Sequence, residues 1–504
     1  MTSPVFNAGG IGAFVLASQS RRVDIAIIGD SNTEKDFGSG HNVGMRLGWA
    51  SKVGVYSTQL FGMQTNGGYD SGSSAAYAMG TNFTVGSNSG APSNLEPYNL
   101  WNNSYLASIG ATGPALGTGI FAQSWQYNPT QGTPYNANSG GSYLTGIIPP
   151  GPSNTTSNNK MITHSFPADL TQELIWHWTH ATIAGSAGYW NPTAFQGGFY
   201  PTMYATTQAS TAGGSSTQWV DGSLTVPAGA RGATGTQQPG SIRFLGTNGN
   251  NSTNGGIKAP VLISYQRVEV PAITSGISLH ELLYQGGRCA YDAAKTIQAW
   301  SQLQMTEFFR QATRLQNGPP MMLIQIMHGG NDLNQTEISA GPNPQQSGQP
   351  GGYADNLAAI IIAMTNFWVG AGNSASNLFF MLGPYHPALS RIADTLVWQG
   401  STYQQLVAYE LAQQWVAQHY PNVTAVSGSQ MMPGGFSQVA NWLSATNSYD
   451  YQGDAHLIRH AYSRWGQMAI DSVFSSVAGG RTQTRYAGAD GSRGTRVRAN
   501  GADA

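Results

Sequence analysis

Cysteine is nearly absent from this sequence, because Cys289 is the only one among 504 residues. A single thiol forms no intrachain disulfide and supports no cysteine-based metal site, since both need at least two thiols. The sequence therefore excludes a disulfide-stabilised scaffold and a metal centre built on cysteines. We interpret Cys289 as a small buried residue.

Charged side chains are also scarce. They make up 9% of the residues, against a usual share of about 25%. The formal net charge is -1, so nothing general favours a nucleic-acid partner. Glycine, serine, threonine, asparagine and glutamine replace the missing charge. This composition is common on extracellular, cell-surface or virion-associated proteins, and it is equally typical of a chain with many long polar loops.

Long hydrophobic runs are missing as well. No apolar stretch approaches the roughly 18 residues that a membrane helix needs, so we expect no membrane partner. The short apolar stretch at residues 11–17 lacks a basic region before it, which makes it a poor signal peptide. The composition favours an extracellular location without a clear export signal.

The middle of the chain differs in character from its two flanks. From residue 71 to residue 274, glycine, proline, asparagine, serine and threonine interrupt the sequence every few residues. Short β-type runs at 172–178, 241–245 and 259–270 predict a β-sandwich or jelly-roll-like domain. Several aromatic residues make this domain a candidate for carbohydrate binding: Trp176, Trp178, Trp190, Tyr200 and Trp219.

Strand and helix patterns alternate on both sides of this region. A short apolar run at 23–28 predicts a buried parallel strand, and residues 43–53 predict a helix. After residue 275 the predicted strands are 278–284, 321–327, 377–382 and 423–427, and the predicted helices are 290–315, 353–369, 401–419 and 457–477. Repeated βα units imply a parallel sheet with helices on both faces. We predict one α/β domain formed by residues 1–70 and 275–478, interrupted by the β-rich insertion at 71–274.

Residues 479–504 form a basic tail rich in glycine and arginine. Arginines outnumber acidic residues there, as Arg481, Arg485, Arg493, Arg496 and Arg498 stand against Asp490 and Asp503. Such a tail is typical of a solvated, flexible terminus. The alternative is an anchor to an acidic partner or to a larger assembly.

Three polar clusters are candidates for chemistry, because sites in open α/β sheets form at the carboxyl ends of the strands. Gly29-Asp30-Ser31-Asn32 follows the first predicted strand, and His328-Gly329-Gly330-Asn331-Asp332 follows the strand at 321–327. Asp454-Ala455-His456 precedes the last helix. Each cluster taken alone is also compatible with a polar turn or a helix cap.

The order of the three clusters resembles that of the SGNH (GDSL-like) hydrolases over residues 20–70 and 275–478. The resemblance implies a three-layer α/β/α, flavodoxin-like fold. It also implies that Ser31 is the nucleophile of a serine esterase, that His456 is the general base, and that the amide of Asn331 donates to the oxyanion.

Two site positions stay open within this resemblance. The family usually carries an aspartate three residues before its histidine, where this chain has Gly453. We assign the orienting acid to Asp454, with Asp450 or a Ser–His dyad as the alternatives.

The second oxyanion donor is a glycine N–H in this family. We assign it to Gly287, which precedes a predicted helix whose N-terminus suits an anion. Gly286, Gly67 and Gly68 are the alternatives.

The implied reaction is a two-step acyl transfer that needs no metal and no organic cofactor. A zinc-protease helix is not indicated, since His280-Glu281 lacks the second histidine of that motif. We expect the substrate to be an acylated carbohydrate, most simply an O-acetylated one, or a small ester. The alternatives are a lipase or thioesterase type of activity, and a non-catalytic glycan-binding surface or virion protein.

Overall fold

The structure is a computed structural model, and it describes a defined part of the chain. The described residues are 4–30, 33, 41–60, 83–86, 125–128, 133–136, 146–148, 161–165, 173–182, 189–195, 203–206, 209–210, 218–228, 241–245, 261–284, 289–298, 300, 302–329, 332, 350–384, 389–390, 397–398, 403–431, 459–477, 482–487 and 493–498.

Helices and strands alternate at the two ends of the chain, and strands fill its middle. The α-helices within the described residues are α1 (Gly12–Ser20), α2 (His41–Val53), α3 (Ala290–Gln298), α4 (Gln302–Thr313), α5 (Pro350–Gly370), α6 (Tyr403–His419) and α7 (Arg459–Val477). Short 3-10 turns span Ala8–Ile11, Ala375–Asn377 and Gly428–Gln430. The strands are β1 (Val5–Phe6), β2 (Arg22–Gly29), β3 (Ser57–Leu60), β4 (Phe83–Gly86), β5 (Trp125–Asn128), β6 (Thr133–Asn136), β7 (Gly146–Ile148), β8 (Met161–Ser165), β9 (Leu174–Thr182), β10 (Tyr189–Phe195), β11 (Met203–Thr206), β12 (Ala209–Ser210), β13 (Gln218–Val226), β14 (Ser241–Leu245), β15 (Val261–Glu269), β16 (Gly276–Tyr284), β17 (Met322–Met327), β18 (Leu378–Leu382), β19 (Leu389–Ser390), β20 (Val397–Trp398), β21 (Val423–Val426), β22 (Thr482–Ala487) and β23 (Arg493–Arg498).

The central sheet has six strands in the order β1-β21-β18-β17-β2-β16. Its last five strands pair in parallel, and β1 pairs antiparallel with β21 at the edge. Every residue of β2, β17, β18 and β21 is buried. Continuous burial of this kind is typical of parallel strands that are covered on both faces, which explains their unbroken apolar runs.

Two groups of helices cover the two faces of this sheet. Residues of α3, α4, α5 and α6 form one apolar core, to which Phe308 and Trp368 belong. Residues of α1, α2 and α7 form the other, to which Trp49 and Trp465 belong. The central sheet and these helices therefore form a three-layer α/β/α domain, and the predicted three-layer fold is confirmed.

The middle of the chain is built from antiparallel strands. One sheet has the order β11-β10-β14-β8-β4 with β12 beside β10, and another has the order β13-β9-β15-β3 with β7 beside β15. Strand β3 lies before residue 71 but pairs with β15, with Ser57 opposite Glu269. Where the insertion begins and ends stays a prediction.

The structure differs from the sequence interpretation at two places. The predicted single helix at 290–315 was wrong, because α3 ends at Gln298 and α4 begins at Gln302. Between them the N–H of Trp300 donates to the carbonyl of Ile297 at 3.1 Å, three residues back, which is a tighter turn than an α-helix makes. Burial of the Trp300 side chain accompanies this turn. Within the tail, β22 and β23 pair as an antiparallel hairpin that the sequence interpretation did not include.

A buried ionic cluster joins β15 to the amino-terminal ends of the central strands. Arg267 donates to Asp24 at 3.1 Å and to the hydroxyl of Tyr56 at 3.0 Å. Asp24 also lies 2.6 Å from Nε2 of His280 and accepts from Gln316 at 2.7 Å. Burial alone would raise the pKa of Asp24, but the Arg267 charge, with His280 and Gln316, lowers it below the usual value. The carboxylate is therefore charged at neutral pH.

A second ion pair lies nearby, where Glu269 at the end of β15 meets Arg22 at 2.5 Å and Nε2 of His177 at 2.6 Å. Burial would raise the pKa of Glu269, but hydrogen bonds from His177 and Arg22 lower it to about 2. Both clusters hold β15 against the central sheet.

No helix among those described combines the length and the apolar content that a membrane crossing requires.

Candidate active site

The five predicted site residues lie outside the residues that the structure describes: Ser31, Gly287, Asn331, Asp454 and His456. The same is true of the alternatives Gly67, Gly68, Gly286 and Asp450. Their assignments stay predictions. The structure does describe the strand ends, turns and helix starts that directly flank them.

Three neighbouring strands end side by side at one edge of the central sheet. Gly29 at the end of β2 is opposite Tyr284 at the end of β16 and opposite Met327 at the end of β17. In the sequence, Ser31, Gly287 and Asn331 follow these three strand ends by two, three and four residues. The three segments that carry them therefore leave the sheet at adjacent points, where α/β proteins form their sites.

A tight turn follows the end of β2. The N–H of Thr33 donates to the carbonyl of Asp30 at 2.9 Å, and its hydroxyl donates to the same oxygen at 2.6 Å. Both residues are buried. These bonds fix the two residues that bracket Ser31 and Asn32.

Two carboxylates meet the start of α3. Asp332 accepts the N–H of Ala290 on both of its oxygens, at 3.1 and 3.2 Å. Asp292 accepts the N–H of Cys289 at 3.3 Å. The first N–H groups of a helix have no partner within the helix and favour an anion. Asp332 therefore connects the segment after β17 to the point where the segment after β16 enters α3.

Asp332 is fully buried in this position. Burial raises its pKa well above the usual value, and the nearby charges of Asp30 and Asp292 add to the shift. Asp332 belongs to the second polar cluster of the sequence, which predicts no role for it. Its position next to Asn331 was the available signal, whereas the contact with Ala290 depends on the fold.

Helices α2 and α7 pack in parallel at very close distance. A Cβ added at Gly44 would overlap the carbonyl oxygen of Tyr462, and one added at Gly466 would overlap the backbone of Gly44. Toward the other ends of the helices, Lys52 and Asp471 form an ion pair at 2.7 Å. The first turns of the two helices therefore lie side by side. Ser31 precedes α2, and Asp454 and His456 directly precede α7.

Two tryptophans proposed as part of a carbohydrate-binding surface are core residues. Trp176 and Trp178 on β9 are 0% and 1% exposed, with ring centroids 4.9 Å apart. Because both rings are buried, neither presents a face on which a sugar could stack. The side chains of Trp190, Tyr200 and Trp219 are outside the described part of the structure.

Cys289 is buried, as predicted. In the part of the chain that the structure describes, no three histidine, cysteine, aspartate or glutamate side chains are grouped so as to hold a metal ion.

No protein-family model matches the sequence, and no curated protein matches it in sequence. The fold, in contrast, is similar to solved structures. A peptidoglycan O-acetylesterase has a TM-score of 0.50 at 12% sequence identity, and the alignment covers 95% of this chain and 97% of that one. At this identity the likeness establishes a common fold and does not establish a common activity.

Two other solved structures are less similar. A carbohydrate acetylesterase from Sinorhizobium meliloti has a TM-score of 0.26 at 13% identity, covering 40% of this chain and 79% of that one. An acetyl xylan esterase from the rumen bacterium Butyrivibrio proteoclasticus has a TM-score of 0.23 at 8% identity, covering 65% and 92%. These scores are too low to support an inference. The sheet order, the two helical layers and the first likeness together show that this chain shares a three-layer α/β/α fold with the peptidoglycan O-acetylesterase, which is the fold that the sequence resemblance predicts.

Proposed function

We propose that this protein is a serine esterase that removes O-acetyl or similar acyl groups from a carbohydrate. The observation that carries the proposal is the meeting of the carboxyl ends of β2, β16 and β17. The close contact between the first turns of the parallel helices α2 and α7 is a second, independent observation that supports the proposal. Both observations concern described residues that flank the candidates in the sequence, and they support a common site at this edge of the sheet.

The proposed reaction has two halves. His456 accepts the proton of the Ser31 hydroxyl while Ser31 Oγ attacks the ester carbonyl. The N–H groups of Ser31 and Gly287 and the amide of Asn331 stabilise the oxyanion, at about 2.7–4 kcal/mol of barrier per donor. His456 then returns the proton to the leaving alcohol, and it activates a water that hydrolyses the acyl-enzyme. Asp454 holds His456 in the productive tautomer.

The substrate class comes from the solved structure with the shared fold. That protein is a peptidoglycan O-acetylesterase, and the common fold covers nearly the whole of both chains, including the β-rich middle. We extend its acyl group and its carbohydrate class to this chain.

The first test is hydrolysis of p-nitrophenyl acetate by the full chain. We expect Ser31→Ala and His456→Ala to lower kcat by at least about a thousandfold, since each removes a partner of the proton transfer. Ser51→Ala and His419→Ala are matched controls on exposed helix positions, where Ser51 donates to the carbonyl of Gly48 and His419 bonds the carbonyl of Trp415. Unchanged activity in Ser31→Ala would refute the mechanism.

Covalent labelling identifies the nucleophilic residue directly. A fluorophosphonate should add one label to the wild-type chain and none to Ser31→Ala, as read from intact mass and the labelled peptide. Asp454→Asn and Asp450→Asn then separate the two candidate acids, since only the orienting one should lower kcat strongly. Equal and small effects from both would favour the Ser–His dyad.

The substrate class needs its own comparison. We expect acetate release from O-acetylated peptidoglycan or acetylated xylan, with weak activity on long-chain esters and acyl thioesters. Preference for a long-chain ester or thioester would favour the lipase or thioesterase alternative. Binding to glycans without hydrolysis of any ester would favour the non-catalytic alternative.

A further inference from the structure

We propose that Tyr353 and Tyr409 are positioning residues that hold the Asn331 segment in place for the oxyanion. This inference rests on the proposed function. It concerns two tyrosines on different helices, neither of which belongs to a motif of the sequence. What brings them together is the fold, because α5 and α6 pack on the same face of the central sheet.

Each tyrosine donates to a backbone carbonyl that flanks the segment after β17. The hydroxyl of Tyr353 donates to the carbonyl of His328 at 2.7 Å. The hydroxyl of Tyr409 donates to the carbonyl of Asp332 at 3.2 Å. Asn331 lies between these two carbonyls in the sequence. The two bonds therefore restrain the chain on both sides of the predicted oxyanion donor.

The two tyrosines and one glutamine form a buried unit, which we call the tyrosine clamp. It consists of Tyr353, Tyr409 and Gln413, which are 0%, 2% and 1% exposed. The two rings are in contact, with centroids 4.9 Å apart. Tyr409 and Gln413 are one helical turn apart on α6, so they present the same face of that helix.

The chemistry of the partner groups determines which atom donates in each hydrogen bond of the clamp. A carbonyl oxygen only accepts, so the hydroxyl proton of Tyr353 points to His328. The amide of Gln413 donates to the oxygen of the same hydroxyl at 2.7 Å. Burial, and next the charge of Asp332, raises the pKa of Tyr353 well above its usual value. The hydroxyl therefore keeps its proton and continues to donate.

This arrangement matters because an oxyanion donor works only at the right position. A displacement of about 1 Å can cost up to a hundredfold in rate. The carbonyl of Asp332 meets Tyr409, and its carboxylate meets the start of α3. Loss of a clamp hydroxyl removes one of the two bonds that restrain this segment. The expected consequence is poorer stabilisation of the transition state, with little change in substrate binding.

The test compares Tyr353→Phe and Tyr409→Phe with Tyr56→Phe. Tyr56 is a matched control, because it is fully buried and its hydroxyl accepts a bond from Arg267 near the amino-terminal ends of the strands. We expect each clamp variant to lower kcat for p-nitrophenyl acetate about tenfold, with KM changed less than about twofold. Tyr56→Phe should change kcat less than about twofold.

A double-mutant cycle with Asn331→Ala separates positioning from general damage. If the clamp acts through Asn331, then Tyr353→Phe should lower kcat less than about twofold once Asn331 is alanine. An equal loss of kcat in both backgrounds would overturn the proposal. If Asn331→Ala has no effect while Ser31→Ala abolishes activity, the esterase assignment stands and the clamp proposal fails.

Hydrogen exchange tests the clamp independently of activity. The peptide that contains residues 328–332 should exchange faster in both clamp variants than in wild type, and at the wild-type rate in Tyr56→Phe. Unchanged exchange in the clamp variants would overturn the proposal. Faster exchange in a protein without any esterase activity would confirm the clamp as a restraint on this segment and refute the proposed function.

Discussion

Replacing Arg267 by methionine should strongly destabilise this protein. The guanidinium is 1% exposed at the side chain and lies between β15 and the central sheet. It donates to several acceptors at once: Asp24, the hydroxyls of Ser57 and Tyr56, and the carbonyls of Gln311 and Ala312. Methionine fills part of the volume but supplies no donor and no charge.

The expected loss of folding free energy follows from the Asp24 carboxylate, which the substitution leaves buried. Asp24 keeps its bonds to His280 and Gln316, at 2.6 and 2.7 Å, but loses the positive charge that holds its pKa low. Removing one partner of a buried ion pair typically costs about 3–5 kcal/mol, since the other charge stays buried and uncompensated. With an unfolding entropy of about 2.1 cal/mol/K per residue over the roughly 270 residues of the predicted α/β domain, this lowers Tm by about 5–9 °C.

Thermal unfolding measures this loss, and Arg310→Met is its control. Arg310 pairs with Asp221 at 2.7 Å and with Glu307 at 2.6 Å, but its side chain is 41% exposed. Exposed ion pairs contribute about 0–1 kcal/mol, so the same substitution there should shift Tm by less than about 2 °C. The contrast between the two variants isolates burial from the chemical change itself.

A small shift for Arg267→Met would refute this reasoning. If its Tm falls by no more than that of Arg310→Met, the buried cluster does not hold β15 on the sheet. Adding Asp24→Asn gives a second check, because it removes the uncompensated charge. The double variant should recover about 0.5–3 kcal/mol relative to the sum of the two single losses.

Two further predictions concern the close helix pair and the acid stability. Gly44→Ala should destabilise the fold by about 1–3 kcal/mol and lower kcat, because its methyl group would overlap the carbonyl of Tyr462 and separate α2 from α7; Gly9→Ala, with no atom within 4 Å of the added carbon, is the control in thermal unfolding and esterase assays. Since folding lowers the pKa of Glu269 from 4.5 to about 2, its carboxylate contributes full stability above about pH 4.5 and loses this contribution as the pH falls toward 2. The Tm difference between wild type and Glu269→Gln should therefore be largest near neutral pH and shrink toward pH 2, and a constant difference would contradict the assignment.

Local patterns were sufficient to predict most elements of the central domain. The predicted strand at 321–327 and the observed β17 at Met322–Met327 agree closely, because an uninterrupted apolar run fits a strand buried on both faces. The apolar run at 23–28 predicted β2 in the same way, and the pattern at 43–53 predicted the helix α2. Prediction failed between α3 and α4, because no glycine or proline lies between Gln298 and Gln302 in the sequence. The turn at Trp300 accompanies tertiary burial, which a local pattern does not encode.

The candidate functional residues also fall into two groups, those that the sequence motifs indicate and those that only the fold reveals. The order of the motifs around Ser31, Asn331 and His456 indicated an SGNH hydrolase, and the fold expected from that resemblance is the one observed. The tyrosine clamp had no signal in the sequence, since Tyr353 and Tyr409 lie 25 and 77 residues from their carbonyl acceptors. Their hydroxyls acquire a role only through the packing of α5 and α6.

The sequence by itself determined most strands and helices of the central domain, because hydrophobic period and turn chemistry act over a few neighbouring residues. It also determined which motifs carry the candidate chemistry. Only the tertiary structure decided that β16 pairs with β2, whose partners Tyr284 and Gly29 lie far apart along the chain. Pairing of that kind depends on long-range packing, and local sequence does not specify it. The same packing buried Asp24 with Arg267 and brought the start of α7 against α2, so it decided which strand ends and helix starts lie next to each other around the predicted site.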